Sequence, residues 1–207
     1  MIQKPLTLRI KNINILQRAA VFCAIFLFFC GLSPAADKTF KQPKTKILLL
    51  VSERNVDGTL TCWWMNETAF SISEVNLAKT FKDADYQVIE PQTVYSLLKR
   101  DKSLKVVNLS DREALRLGRA LRADYLVRGS AVAVSGSNIY AAGQRPCFAE
   151  TRIKLVRIKD GGLVTELETV ASNVNIDVAK GGSDVLSSAA VDLAAKIILY
   201  INKEGGK

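Results

Sequence analysis

One stretch, residues 110–134, constrains the fold more than any other part of the chain. Ser110 is followed three residues later by Glu113, which is the capping-box pattern found where helices begin. Apolar residues then recur at helical spacing, at Ala114, Leu117, Gly118 and Leu121. From Tyr125 to Val134 the residues are mostly apolar, as in a strand that is covered on both faces. The stretch therefore predicts a helix that runs directly into a buried strand.

The predicted helix has two different faces. Gly118 lies on the apolar face, where glycine costs about 1 kcal/mol relative to alanine, so we expect the helix backbone to lie close against something flat, such as a sheet. The opposite face carries Arg112, Arg116 and Arg119. We interpret these arginines as an exposed helix face, and the alternative is a docking ridge for an acidic protein, a glycan or a lipid head group.

The remaining elements follow from the same periodicities and from turn signals such as Asp160-Gly161-Gly162. Strands are predicted at 46–52, 86–90, 125–134, 148–158 and 163–176, and the other helices at 71–84, 92–100 and 181–202. Ser71 and Glu74 fit a second capping box at the start of the helix at 71–84. The order is β-α-β-α-α-β-β-β-α. This order predicts the α/β class, with a single mixed β-sheet of about five strands and helices packed on it.

The N-terminus predicts a secretory signal peptide. Four basic residues and no acidic ones occur in residues 1–35, and an apolar stretch of 14 residues at 19–32 is too short for a comfortable membrane span. Ser33-Pro34-Ala35 then supplies small residues for cleavage before Ala36. An uncleaved anchor and a lipid on Cys30 are the alternatives, and the lipid is disfavoured by the two phenylalanines that precede Cys30. We predict a signal peptide at 1–35, a linker at 36–45 and one domain at 46–204.

Two cysteines, Cys62 and Cys147, remain once residues 1–35 are removed. Both should meet an oxidising compartment, and both fall next to the ends of predicted buried strands. We therefore predict a Cys62–Cys147 disulfide. The alternative is two separate thiols, one of them buried.

Trp63 and Trp64 lie in residues 53–70, which we predict to be a long loop. In one interpretation the pair packs over an edge of the core. In the other it binds a partner, because tryptophan is favoured in binding hot spots. The predicted partner-binding residues are Trp63, Trp64, Arg112, Arg116 and Arg119, with the loop at 136–146 beside the tryptophans.

The sequence lacks the common patterns of catalytic and cofactor sites. It contains no histidine, which excludes Ser/His/Asp and Cys/His sites, and it has no phosphate-binding loop and no Cys-x-x-Cys pair. Glu150, Arg152, Glu166 and Glu168 fit solvated cross-strand charge pairs, with a glycosidase-type carboxylate pair as the alternative. We predict that the protein is not an enzyme and needs no cofactor or metal.

The charge of the chain excludes a strong nucleic-acid signature. The formal net charge is +9, but residues 1–35 hold four of the basic residues. The rest of the chain keeps 25 basic and 20 acidic residues. A mildly basic domain of this kind suits an anionic partner without indicating nucleic acid.

Residues 117–130, Leu-Gly-Arg-Ala-Leu-Arg-Ala-Asp-Tyr-Leu-Val-Arg-Gly-Ser, resemble the "LGxxLGADYVVxGS" stretch of several bacterial envelope families. These families are the TolB amino-terminal domain, the curli secretion proteins, the middle domain of flagellar assembly protein T, and the outer-membrane lipoprotein activators of penicillin-binding proteins. The later hairpin and the closing helix also fit, so the resemblance covers roughly residues 45–204.

The resemblance implies a non-catalytic periplasmic or secreted protein-interaction module in cell-envelope or surface-appendage assembly, of the flagellar or curli-like kind. Its partners would be envelope proteins, with peripheral association with the outer membrane left open. The alternative is a soluble periplasmic protein that binds a small ligand or glycan between the loops 53–70 and 135–147, or, less favoured, a hydrolase. A flat apolar patch would favour the first function, and an enclosed pocket with converging polar groups the second.

Overall fold

The computed structural model describes residues 44–66, 68–137 and 143–205. The strands are β1 (Lys46–Arg54), β2 (Gln87–Val88), β3 (Tyr125–Ser135), β4 (Arg145–Arg157) and β5 (Leu163–Asn175). The helices are α1 (Trp63–Asn66), α2 (Ile72–Asp83), α3 (Pro91–Arg100), α4 (Asp111–Ala120) and α5 (Val178–Gly205), with a 3₁₀ turn at Lys102–Leu104. The predicted signal peptide and most of the predicted linker lie outside the described residues.

The five strands form one mixed sheet in the order β2-β1-β3-β4-β5. β1 pairs in parallel with β2 and with β3, whereas β3, β4 and β5 pair in antiparallel fashion. The prediction of an α/β fold with a single mixed sheet of about five strands is confirmed. None of the described helices is long and apolar enough to cross a membrane.

Helices cover the two faces of the sheet unequally. On one face, α2 and α5 pack over a core that draws side chains from β1, β3 and β4. On the other face, α1, α3 and α4 pack over β1, the start of β3 and the chain just after β4. No described helix covers the second face over β5 and most of β4, and that area is the basis of the candidate site.

Both predicted capping boxes are present. At the start of α2, Ser71 Oγ accepts the Glu74 N–H at 3.4 Å, and Glu74 Oε2 accepts the Ser71 N–H at 3.2 Å. At the start of α4, Ser110 and Glu113 make the same two bonds. Each pair satisfies N–H groups of the first turn that have no partner inside the helix.

Glycines mark the closest approaches between elements. A Cβ on Gly118 would lie 2.4 Å from Ile158 Cδ1, so the backbone of α4 does pack close to its neighbour, as the sequence predicts. A Cβ on Gly129 would lie 1.9 Å from the Arg152 carbonyl oxygen, so β3 approaches β4 too closely at this point for any side chain. Packing therefore requires glycine at position 129, where the obstacle is backbone, whereas a Cβ at position 118 would require the end of the Ile158 side chain to shift.

Two segments differ from their predicted form. Residues 53–70 are not simply a loop, because β1 extends to Arg54, Glu53 bridges to Thr61, and the one-turn helix α1 follows. The last helix begins at Val178, three residues before Gly181, where the sequence predicts its start. A Cβ on Gly181 would lie 2.6 Å from Cys147 Sγ, so this glycine lets α5 pack close to β4.

Candidate functional site

Four apolar side chains form a contiguous patch on the sheet face that no described helix covers. Val134 pairs directly with Phe148 across β3 and β4, and Phe148 pairs with Ser172 of β5. Val170 and Val174 lie two residues to either side of Ser172, so they share its face. The exposed fractions are 49% for Val134, 41% for Phe148, 65% for Val170 and 47% for Val174. These four residues are called the apolar patch below.

Charged residues continue the same face beyond the apolar patch. Arg152 Nε lies 2.8 Å from Glu150 Oε1 and 3.1 Å from Glu168 Oε2, and Lys154 Nζ lies 3.8 Å from Glu166 Oε2. The prediction of cross-strand charge pairs is confirmed. Since every one of these carboxylates is exposed and lies next to a basic side chain, the arrangement is that of surface ion pairs.

The strand β5 lies at the edge of the sheet and pairs only with β4 among the described residues. Its first half carries Glu166 and Glu168, but residues 169–176 read Thr-Val-Ala-Ser-Asn-Val-Asn-Ile. Proteins usually protect an exposed edge with charges, proline or a bulge in the strand. Residues 169–176 contain no charge and no proline, so this half of the edge lacks that protection, and it is called the open edge below. Because β5 has a strand on one side only, the open edge has backbone groups available to pair with another strand.

The two tryptophans lie in the core, so the interpretation of Trp63 and Trp64 as a partner-binding surface is wrong for this structure. Trp63 is 1% exposed and Trp64 is 3% exposed. The Trp63 indole donates to the Leu49 carbonyl oxygen at 3.1 Å, and the Trp64 indole donates to that of Val106 at 2.9 Å. The alternative, packing at an edge of the core, describes them.

The predicted Cys62–Cys147 disulfide is not formed. Both thiols are free and buried. Cys62 belongs to the core on the α1 face, and Cys147 belongs to the core under α5, so the sheet lies between them. Burial raises the pKa of Cys62 to about 11 and also raises the pKa of Cys147, so neither thiol is an activated nucleophile.

The three arginines of α4 are exposed, as predicted, but they do not act as a set. Arg116 donates to Asp101 Oδ2 at 2.7 Å and to Ser103 Oγ at 2.8 Å, so its charge is already paired. Arg119 lies at the C-terminal end of the helix and lines a cleft, whereas Arg112 lies at the other end. A role for them in partner binding stays a prediction.

The cleft next to Arg119 has a volume of about 530 Å³. Four cations and one carboxylate line it, along with Thr45, Ala123, Tyr125 and Ile158; the charged residues are Arg119, Arg122, Asp124, Arg157 and Lys159. This site is called the basic cleft below. Sequence reasoning found Arg119 but missed the others, because they come from the turn after α4 and from the end of β4.

Arg122 has an uncommon backbone conformation. Its φ is +54°, in the left-handed region that usually requires glycine at the residue after a helix. The envelope motif quoted above has glycine at the matching position. A single side chain in this region costs about 1 kcal/mol, and such strain is found more often at functional sites than elsewhere.

Two buried carboxylates, Glu53 and Glu74, connect β1 to the start of α2. Glu53 accepts the N–H groups of Ile72 at 3.2 Å and Ser73 at 2.6 Å, while Glu74 accepts that of Val51 at 2.9 Å. Burial, with a smaller contribution from Glu53, raises the pKa of Glu74 to about 8, although N–H donors from Val51 and Ser71 oppose the shift. Their oxygens serve the backbone, so the pair is structural. Sequence reasoning found only Glu74, as part of the capping box.

The described residues contain no group of three or more His, Cys, Asp or Glu side chains that could hold a metal ion. The structure offers an exposed apolar surface with an open strand edge and, separately, an open basic cleft. It brings the predicted charge pairs together on the uncovered face and places the two tryptophans and the two cysteines in the core.

No protein family model matches this chain, and no curated protein matches it. Solved structures do resemble it. The LpoB C-terminal domain from Salmonella enterica has a TM-score of 0.42 at 14% identity, covering 63% of this chain and 85% of that one. Lipoprotein GNA1162 from Neisseria meningitidis has a TM-score of 0.43 at 18% identity, covering 74% of this chain and 99% of that one.

A minor lipoprotein from Acinetobacter baumannii has a TM-score of 0.40 at 12% identity, covering 77% of this chain and 94% of that one. These similar structures include two lipoproteins and an LpoB domain, but scores and identities of this size carry no argument about function. The resemblances to TolB, curli secretion proteins and flagellar assembly protein T stay predictions from the sequence motif.

Proposed function

We propose that this chain is an exported, non-catalytic protein-interaction module of the bacterial cell envelope. It binds a partner envelope protein through the apolar patch and the open edge. The observation that carries the proposal is the charge-free half of β5 lying directly beside four exposed apolar side chains. The periplasmic location is part of the proposal, and the predicted signal peptide at 1–35 supports it.

The occupant that fits this surface is an extended segment of another protein. An exposed sheet edge binds such a segment by main-chain hydrogen bonds, and alternate side chains of the segment then lie against the sheet face. On this chain, Val170 and Val174 of the open edge point to the face that also carries Phe148, which lies on the neighbouring strand β4. A partner strand with apolar residues at alternate positions would cover these side chains.

Assembly of a surface structure, of the flagellar or curli-like kind, is the finer role that we propose for this binding. The motif resemblance in residues 117–130 supports it, and so does the lack of catalytic patterns in the sequence. The ion pairs of the uncovered face and the structural role of Glu53 and Glu74 are consistent with a protein that binds and does not catalyse.

Paired surface variants test the proposal. Val170→Lys places a charge on the open edge, where it should weaken partner binding by about tenfold or more, because the charge would have to be buried on binding. Leu199→Lys is the matched control, since Leu199 is 70% exposed and lies on α5. The measurement is co-purification from the host envelope, followed by titration of the purified partner with each variant.

Both variants should keep the wild-type melting temperature and circular dichroism spectrum. Loss of binding in Val170→Lys alone supports the proposed surface. Equal binding by all three proteins would contradict it, and so would a captured partner that proves to be a second copy of this chain.

A further inference from the structure

The basic cleft is separate from the proposed protein-binding surface. It lies where β1 and β3 begin, between the turn that follows α4 and the end of β4, and it shares no residue with the apolar patch or with β5. Some of its charged side chains form ion pairs and others do not, and the unpaired ones suggest a second kind of ligand.

Two of the charged groups in the cleft are already occupied. Arg157 donates to Asp160 Oδ2 and to Glu204 Oε1, each at 2.5 Å. The carboxylate of Asp124 accepts the backbone N–H of Lys46 at 2.7 Å, so it connects β1 to the start of β3. Arg157 therefore leaves little charge for a ligand, because two carboxylates already pair with it. Asp124 is held in place by a backbone hydrogen bond, which does not neutralise a carboxylate.

The other three cations have no such partners. Among the described residues, Arg119, Arg122 and Lys159 form no ion pair and no side-chain hydrogen bond, and all three side chains are exposed. Three unpaired positive charges therefore line one concave site, where Asp124 is the single acidic residue among the described lining residues. Like charges so placed repel one another, and an anion between them relieves that repulsion.

The backbone at Arg122 supports a functional role for its side chain. Glycine would adopt a φ of +54° without strain, yet the chain has arginine there. The last carbonyl groups of α4, those of Leu117, Gly118 and Arg119, accept N–H groups from residues 121, 123 and 122. These hydrogen bonds weaken the repulsion that a helix C-terminus exerts on a nearby anion. The turn thus places the Arg122 guanidinium at the cleft, while the last carbonyl groups of α4 are already hydrogen-bonded.

We propose that the basic cleft binds a phosphate-bearing anion, as a free phosphate ester or as the head group of a lipid. Guanidinium groups match phosphate oxygens in a two-point fork, and Lys159 adds a mobile point charge. A volume of about 530 Å³ accommodates a diphosphate or a phosphorylated head group. The residues that hold the phosphate are Arg119, Arg122 and Lys159.

The test uses the protein purified from its host, in low-salt buffer. Calorimetric titration with inorganic pyrophosphate measures the free-phosphate arm. Flotation with phosphatidylcholine vesicles, with and without phosphatidic acid, measures the lipid arm. Binding in the first arm assigns a soluble phosphate ester as ligand, whereas binding only to vesicles that contain phosphatidic acid assigns a lipid head group.

Two variants and one control make the test specific to the cleft. Arg122→Gly and Arg119→Gln should each weaken binding by about tenfold, the loss expected when one charged hydrogen-bond donor is removed. Arg122→Gly should also raise the melting temperature, because it removes the cation and the backbone strain together. Arg112→Gln removes an exposed arginine from the other end of α4 and should bind as the wild type does.

The proposal is overturned if the wild-type protein binds neither pyrophosphate nor phosphatidic acid vesicles. It is also overturned if Arg112→Gln loses as much affinity as the two cleft variants, since binding would then follow the overall charge. The proposed protein-binding function does not depend on this result, because the Val170→Lys variant leaves the basic cleft intact.

Discussion

Glu74 carries a carboxyl group with no exposed surface, and its environment predicts an unusual pH dependence of stability. Its pKa is raised from 4.5 to about 8 in the folded protein, with burial as the main cause. The folded state therefore keeps a proton that the unfolded state releases. The free energy of unfolding should decrease as the pH rises from about 4.5 to 8, by a few kcal/mol at most.

Glu74→Gln isolates this effect, because glutamine cannot ionise. We expect urea unfolding at a series of pH values to show falling stability for the wild type and a nearly flat profile for Glu74→Gln between pH 5 and 8. The chain has no histidine, so no ordinary side chain titrates within this range. Parallel profiles for the two proteins would show that Glu74 stays ionised when folded.

At the residue scale, the sequence predicted chemical character better than location. The charge pairs around Arg152 were predictable because cross-strand neighbours follow from strand alternation and a short hairpin. The burial of Trp63 and Trp64 was not, because it depends on where α1 packs. Nor could the sequence show that Cys62 and Cys147 lie on opposite faces of the sheet, since the face depends on the register of distant strands.

At the scale of elements, the pairing of β3 with β4 depends on Gly129. A Cβ there would lie 1.9 Å from the Arg152 carbonyl oxygen, which is backbone and cannot move aside without disturbing the pairing of the two strands. Gly129→Ala should therefore destabilise the protein by about 2–3 kcal/mol, in the range of overpacking substitutions. Thermal or urea unfolding measures the loss.

Gly205→Ala is the control for this substitution, because nothing lies within 4 Å of a Cβ built at Gly205. It should leave stability unchanged or slightly increased. Equal stability of Gly129→Ala and Gly205→Ala would mean that the backbones of β3 and β4 are further apart at Gly129 than they are in this structure.

Element boundaries were predictable where local chemistry sets them. Both capping boxes begin their helices where the sequence places them, because each box uses only residues three positions apart. The start of α5 was misplaced at Gly181, since glycine also reads as a helix boundary. Gly181 is needed inside the helix because it packs against Cys147. Cys147 lies on a strand more than thirty residues earlier in the chain, so this contact leaves no local signal in the sequence.

At the scale of the whole molecule, the proposed location depends on export. We expect the native protein to begin at Ala36, because the basic start, the short apolar stretch and Ser33-Pro34-Ala35 together fit a signal peptidase site. Mass spectrometry of the protein from its own host measures the N-terminus directly. A chain that begins at Met1, or one that carries lipid on Cys30, would contradict this expectation.

The fold class was predictable because the order of helices and strands nearly determines it for a chain of this length. The location of the candidate surface could not be predicted in the same way. Whether Val134, Phe148, Val170 and Val174 face a helix or solvent depends on how far α1, α3 and α4 extend over the sheet. Alternation along β3, β4 and β5 assigns these residues to one face, but it does not show that the face is uncovered.

The central claim is that the apolar patch and the open edge bind an envelope protein. Photo-cross-linking in the host tests it most directly, with a photoreactive residue at position 174 and, as control, at position 191. Val174 and Val191 are 47% and 46% exposed, but Val191 lies on α5. We predict an adduct with one envelope protein from position 174 and none from position 191. No adduct at position 174, or adducts with a second copy of this chain alone, would contradict the claim.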